Sequence, residues 1–392
     1  MKLLKKLTLA VAASSMLCAS AFADGHSKAQ GVSDTEILIG SNNDLSGPFA
    51  AFGGPATKAA QMVFDEVNAA GGIHGRKIRF IVEDHGYQMP KAIAGMNKLV
   101  NGDKVFAMLL SLGTPMNIAG YKLQDAKGIP NISPLSAARQ MNEPLSPLHY
   151  AGTASYYAQM LAGVKYLAKE KGATKVCSMY LPTDFGKDIK AGSMDAAKNG
   201  GLTFVTETTH KPDETDFVGS LQKLKGAGCQ ITTMALTVRQ AITVVATAKK
   251  LGITDMSFLN SSAGFHSVMA KVPGGITEGL YAAAGGSDLL SRMSNPAVQK
   301  FFKEYTTKTG EKLPGTGAVY GYSGATTLVG ALKAAGKDLT AASFQKGMES
   351  LNYRDEIADN QVDYSATDHQ GADEVVISVI EGGAWKELAR SE

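Results

Sequence analysis

Short apolar runs alternate with longer amphipathic segments along most of this 392-residue chain, and the alternation starts twice. In the first half, strands are expected at 36–41, 77–83, 104–110 and 131–133, with helices at 55–70, 90–101 and 115–127. After Lys104 the third run reads VFAMLL, as a strand buried on both faces would. A helix over 155–171 follows, and the pattern begins again. Strands are expected at 175–181, 202–208, 230–236 and 256–259, with helices at 185–199, 216–226 and 239–251. The remainder is more helical (296–309, 320–335 and 340–351), and a last strand over 374–381 precedes Trp385. Repeated βα units build a parallel sheet with helices on both faces. Two such runs predict two similar α/β lobes. The chain is expected to cross between them near Tyr150, near Leu280 and beyond Asn352. That assigns 34–149 with 282–352 to the first lobe and 150–281 with 353–392 to the second.

Residues 1–23 stand outside this pattern. Lys2, Lys5 and Lys6 precede an apolar run from Leu7 to Leu17, and Ala21-Phe22-Ala23 offers small residues where a signal peptidase reads. The run is far shorter than the ~20 residues a spanning helix needs. Leu17 before Cys18 argues against lipid attachment there. Cleavage before Asp24 is expected, leaving an exported soluble chain, periplasmic in a bacterium with two membranes. The whole chain has 39 Lys+Arg and 36 Asp+Glu, and the three lysines of the signal account for the excess. With no net charge and no basic stripe left, nucleic acid is a poor partner.

Two cysteines remain, Cys177 and Cys229, both at the starts of expected strands in the second lobe. A disulfide is permitted in an exported protein. The reading favoured here is two buried thiols packing as small hydrophobes. No zinc-type Cys/His spacing and no HExxH occurs.

In parallel α/β sheets, ligands bind beyond the carboxyl ends of the strands. Two lobes facing each other there form a cleft. The loops of interest follow Ser41, Leu110, Ser133, Leu181, Leu236 and Leu259. Several segments in them carry a resemblance. They are Leu45-Ser46-Gly47-Pro48-Phe49-Ala50-Ala51-Phe52-Gly53, Asn68-Ala69-Ala70-Gly71-Gly72-Ile73-His74-Gly75-Arg76, Gly113-Thr114-Pro115, Gly128-Ile129-Pro130-Asn131-Ile132-Ser133-Pro134, Asp184-Phe185-Gly186 and Thr215-Asp216-Phe217. In their order and spacing the chain resembles the periplasmic receptors of ABC importers of the branched-chain amino acid type. The resemblance implies the type I periplasmic binding protein fold, two doubly wound parallel-sheet lobes joined by three crossovers. It also implies a monomer that closes on one small ligand and delivers it to a membrane permease, with ATP hydrolysis on separate subunits. No metal or organic cofactor is implied.

Gly113-Thr114-Pro115 opens a helix after a buried strand. Free backbone N–H groups at a helix start, with a hydroxyl beside them, suit a carboxylate; the resemblance gives this loop that role. The alternative is that Thr114 caps its own helix ahead of Pro115. Amino-acid-binding relatives usually have threonine about where Ala137 stands, for the ligand's ammonium; Ser136 beside it can still make one hydrogen bond. Relatives often place an aromatic at Phe49, over the ligand, and many have tyrosine at Phe185. Phe52 is as readily a packing residue beneath its loop. Asp184 is expected to cap the next helix. Arg239 either grips an anionic ligand with two bonds or lies solvated at a helix start. The loop around Ser261 has no acid, where amino-acid binders usually carry one. Tyr320 is expected at a lobe edge, where it can stack on a planar ligand; Tyr156 and Tyr157 are nearby candidates.

These departures point to a ligand with a carboxylate head, an apolar or aromatic body and no free α-amino group. The alternatives are a receptor for branched-chain or other hydrophobic amino acids, and a sensor for a membrane signalling protein. An enzyme is disfavoured. No GxGxxG follows any strand and no GxxxxGK[ST] appears. Gly321-Tyr322-Ser323-Gly324 lacks the full G-x-S-x-G and falls in a helical pattern.

Overall fold

In the computed structural model, residues 29–391 are described; the signal segment, Cys18 and the cleavage point lie outside them. Strands β1 (Glu36–Asn43), β2 (Lys77–Asp84), β3 (Ala107–Leu109), β4 (Asn131–Ile132) and β5 (His149–Tyr150) form one sheet in the order β2-β1-β3-β4-β5. Every pairing in it is parallel. Helices α1 (Ala50–Ala69), α2 (Met89–Asn97) and α3 (Thr114–Lys127) connect its strands. The chain then crosses into α4 (Tyr156–Lys171) and a second sheet.

That sheet contains β6 (Lys175–Tyr180), β7 (Thr203–Thr209), β8 (Ile231–Ala235), β9 (Ser257–Asn260) and β10 (Tyr281–Ala284). Helices α5 (Asp184–Asn199), α6 (Val218–Gly226) and α7 (Val238–Lys250) lie between them. The chain returns to the first lobe with α8 (Pro296–Thr309), α9 (Thr316–Ala335), α10 (Ala341–Glu349) and a hairpin, β11 (Asn352–Asp355) and β12 (Asn360–Asp363). It ends in the second lobe with β13 (Val375–Glu381) and β14 (Ala384–Ser391), which pair antiparallel and complete the order β14-β13-β10-β9-β8-β6-β7. This is the two-lobed, doubly wound α/β architecture expected.

Each lobe has its own apolar core. Ile37, Ile39, Phe64 and Leu109 pack with Leu328, Leu332 and Phe344 in the first. Leu167, Val176, Ile231, Val244 and Trp385 pack in the second. Helix α9 lies so close to α1 that a Cβ on Gly321 would sit 2.1 Å from the Ala56 carbonyl oxygen. Ser323, two residues on, donates to the Asp355 carboxylate, so the hydrolase-like tetrapeptide is part of a helix packing surface.

The structure departs from the sequence reading at particular points. Helix α1 begins at Ala50 rather than 55, with Pro55 inside it. Pro55 has no N–H for the Ala51 carbonyl, and the His266 ring bonds that carbonyl instead. The run 104–110 shrinks to three residues because Lys104 and Leu110 have left-handed backbones, both at φ 56°. The third crossover, expected beyond Asn352, comes after Tyr364, so 353–364 belong with the first lobe: Tyr353, Val362 and Tyr364 all pack with its core. The two-thiol reading is overturned. Cys177 and Cys229 form a disulfide, Cα–Cα 5.8 Å. Strand β6 pairs directly with β8, and Cys229 lies just before β8, within reach of Cys177.

Three chain segments run together between the lobes. Ala151 bridges Gln370 and bonds the backbone of His369 and Gly371. Asn360 donates to the Gly285 carbonyl at 3.1 Å.

Candidate functional site

The carboxyl ends of the two sheets face each other across a cavity that is partly open to solvent. Its first-lobe wall begins with a loop that Asp44 shapes. The buried Asp44 carboxylate accepts from the Gly47 amide at 2.6 Å and the Phe49 amide at 2.8 Å. This fixes Phe49 at the start of α1, its ring 4.6 Å from that of Tyr87. From the other lobe, Phe185 meets Phe49 edge-on at 6.0 Å and Tyr156 at 5.3 Å. Aromatic rings of both lobes thus interlock, the edge-to-face geometry their quadrupoles favour.

The buried His85 ties two parts of this wall together. Its Nδ1 accepts from the Tyr87 amide at 2.9 Å, so its Nε2–H donates to the Leu112 carbonyl at 3.1 Å. Burial keeps this imidazole below the ordinary histidine pKa, and the neutral form is the one that makes both bonds.

Beside Leu112, Gly113 adopts φ 100° and caps α3. A side chain there would be strained by its backbone and would press on Met116 and Tyr87. Thr114 does not cap its own helix. Its hydroxyl shares a 2.7 Å hydrogen bond with Ser136. Pro115 brings no N–H, and the amides of Thr114 and Met116 have no partner among the described residues. Hydroxyls and free amides therefore converge at one end of the cavity.

Of the residues singled out from sequence, Phe49, Gly113, Thr114, Ser136, Ala137, Phe185 and Tyr320 line this cavity. Phe52 and Tyr156 line it too. Two do not. Arg239 is exposed on α7, whose start is closed by a capping box between Thr237 and Gln240. Ser261 is buried but caps a short 3₁₀ turn, accepting from the Ala263 amide. Its neighbour Ser262 faces the cavity, held by Gln159 and bonded to the Tyr320 phenol. Asp184 is the first residue of α5 rather than its cap, which is Thr183.

Tyr87, Ser133 and Thr153 line the cavity without having been picked out. Tyr87 follows β2, a strand whose carboxyl end faces the cleft like its neighbours'. That position was the available signal. Among the described lining residues there is no Asp, Glu, Lys, Arg or His. Burial raises the pKa of Tyr87, Tyr156 and Tyr320, so all three phenols remain protonated.

The family described as periplasmic binding protein matches the sequence over residues 36–384. The chain belongs to this family. Its members are substrate-binding receptors. Among its relatives is an "Amino acid binding protein" of Pseudomonas aeruginosa, 25% identical over 338 residues, 86% of each chain. Among solved structures, it resembles a fatty acid ABC transporter substrate-binding protein from Thermomonospora curvata. The two share 25% identity, with a TM-score of 0.82 over 93% of this chain and 94% of the other. A branched-chain amino acid ABC transporter protein from Thermus thermophilus with bound valine shares the fold at TM-score 0.82 and 21% identity, over 91% and 96% of the chains. No helix among the described residues is long and apolar enough to cross a membrane.

Proposed function

We propose that this protein is the periplasmic substrate-binding component of an ABC importer. Its two lobes close around a small ligand with a carboxylate head, an apolar or aromatic body and no free α-amino group, and present it to a membrane permease. The observation that carries this reading is the asymmetry of the cavity. It offers hydrogen-bond donors to an anion at Thr114 and Ser136, at the positive end of a helix, but no carboxylate to a cation. An ammonium enclosed there forgoes a charge-assisted bond of roughly 1.5–3 kcal/mol and still bears its desolvation cost. Phe49, Phe185, Tyr87 and Tyr156 supply the apolar surface for the rest of the ligand. The fatty acid receptor of Thermomonospora curvata, by its name, takes a ligand of this class.

The test is the melting temperature of the refolded, ligand-stripped protein against benzoate, octanoate, 4-methyl-2-oxopentanoate, leucine, valine and alkyl amides. A ligand at a hundred times its Kd adds roughly 2.7 kcal/mol. Shifts with carboxylates lacking an amine are expected. Shifts confined to leucine and valine would overturn the ligand class in favour of an amino-acid receptor. Loss of uptake of the same compound in a deletion strain checks the transport role.

A further inference from the structure

An ion pair crosses the cleft beside the cavity without lining it. Arg139 stands two residues beyond Ala137 on the first lobe, and Asp188 three residues beyond Phe185 on α5 of the second. The Asp188 side chain is fully buried, and both of its oxygens are taken by residue 139. Arg139 Nε donates to Oδ1 at 2.8 Å and the Arg139 amide to Oδ2 at 3.2 Å. No other described residue donates to this carboxylate. The Arg139 guanidinium lies 3.9 Å from the centre of the Tyr157 ring, also on the second lobe. The Tyr157 hydroxyl donates to Asp195 at 2.7 Å, which fixes that ring.

This arrangement is conditional on closure. When the lobes part, Asp188 loses its partners and gains water. When they meet, its burial is compensated only if residue 139 is an arginine in place. The desolvation cost that weakens many buried ion pairs falls mainly on one ion here, because the Arg139 side chain stays 33% exposed. The stacked contact with Tyr157 adds to the closed side.

We propose that Arg139 and Asp188 form a latch that holds part of the ligand-free population closed, making Arg139 a positioning residue for capture. This rests on the receptor reading above. The latch touches nothing in the cavity, so it sets how tightly every ligand is held without choosing among ligands.

Small-angle X-ray scattering of the ligand-stripped mature chain tests it, on wild type, Arg139→Ala, Asp188→Asn and the double variant. Wild type should contain a fraction scattering as this closed form. Arg139→Ala leaves a buried carboxylate with only the residue-139 amide for a donor and no cation beside it, and its closed fraction should fall roughly tenfold or more. Adding Asp188→Asn removes that charge and should recover part of the loss. Arg139→Lys, which keeps the charge without the Nε donor, should fall between wild type and Arg139→Ala, and it serves if the alanine variant does not fold by circular dichroism. The ratio of benzoate to octanoate affinity, where both bind, should not change. Identical closed fractions in wild type and both Arg139 variants would overturn the latch, as would a double variant as open as Arg139→Ala. A latch that behaves as stated while no panel compound binds would remove the receptor reading alone. Binding with an unmoved closed fraction would remove the latch alone.

Discussion

The His266 ring of the second lobe is hydrogen-bonded to the Ala51 carbonyl of the first, the acceptor that Pro55 leaves without a helical donor. His266 Nδ1 accepts from the Val268 amide at 3.1 Å, so Nε2 carries the proton given to Ala51. The ring meets Phe52 edge-on at 5.4 Å, and its own carbonyl accepts from the Trp385 indole at 3.0 Å. A helix defect in one lobe is thus satisfied by a neutral histidine of the other.

That neutrality gives a pH dependence. Burial lowers the His266 pKa to about 4 from 6.5. Between those values the unfolded chain binds a proton that the closed form refuses. Stability is therefore fully present above pH 6.5 and falls as pH drops towards 4, by roughly 3 kcal/mol. Denaturant unfolding across this range should show the loss in wild type and a flatter profile in His266→Gln. Parallel profiles would mean that other groups carry the acid sensitivity.

Tyr320 and Ser262 make a second polar contact between the lobes, from α9 to the turn after β9. Tyr320→Phe keeps the ring and removes the hydroxyl. The loss of one neutral hydrogen bond, about 1 kcal/mol, should weaken ligand binding roughly fivefold by titration calorimetry. An unchanged Kd would show that this bond does not support the closed form.

The fold was legible because the strands are apolar runs of ordinary length bounded by glycines and polar turns. What escaped were elements too short or too mixed to show a period. Strand β5 is the pair His149–Tyr150, and β14 mixes Lys386, Glu387 and Arg390 with Trp385 and Leu388 without a regular period. The site was legible where a loop leaves a strand and starts a helix, as at Gly113 and Phe185. Reading failed at Ser261 by one residue, because the backbone turn there decides which of two adjacent serines faces inward. It failed at Arg239 because a helix start after a parallel strand need not turn towards the cleft. Arg239→Ala is accordingly expected to leave ligand affinity unchanged.

The Cys177–Cys229 disulfide closes a loop of 52 residues in the second lobe. Loop-closure entropy for that length gives about 4 kcal/mol, with measured values for disulfides usually between 2 and 4. Replacing both cysteines by serine should lower the unfolding midpoint accordingly. The first-lobe core contains neither residue, so the loss should appear in the second-lobe transition if the lobes unfold separately. Equal midpoints with and without reductant would show that the bond does not form in the native protein.

Thr114 and Ser136 test the head-group end of the cavity. Each hydroxyl has one hydrogen to give, and at present they share it across 2.7 Å. A bound carboxylate can take the outward hydrogen of the pair while the other member supports it, together with the free Thr114 amide. Thr114→Ala removes one hydroxyl and leaves the backbone donors, so affinity for a carboxylate ligand should fall by about 1.4 kcal/mol, or tenfold. Thr114→Ser should retain most of the affinity, because it keeps the hydroxyl and loses only a methyl. Ser136→Ala should match Thr114→Ala, since either change breaks the same pair, and the double variant should cost little more than one. Additive losses in titration calorimetry would mean that the two hydroxyls meet the ligand separately, with the pair seen here parting on binding.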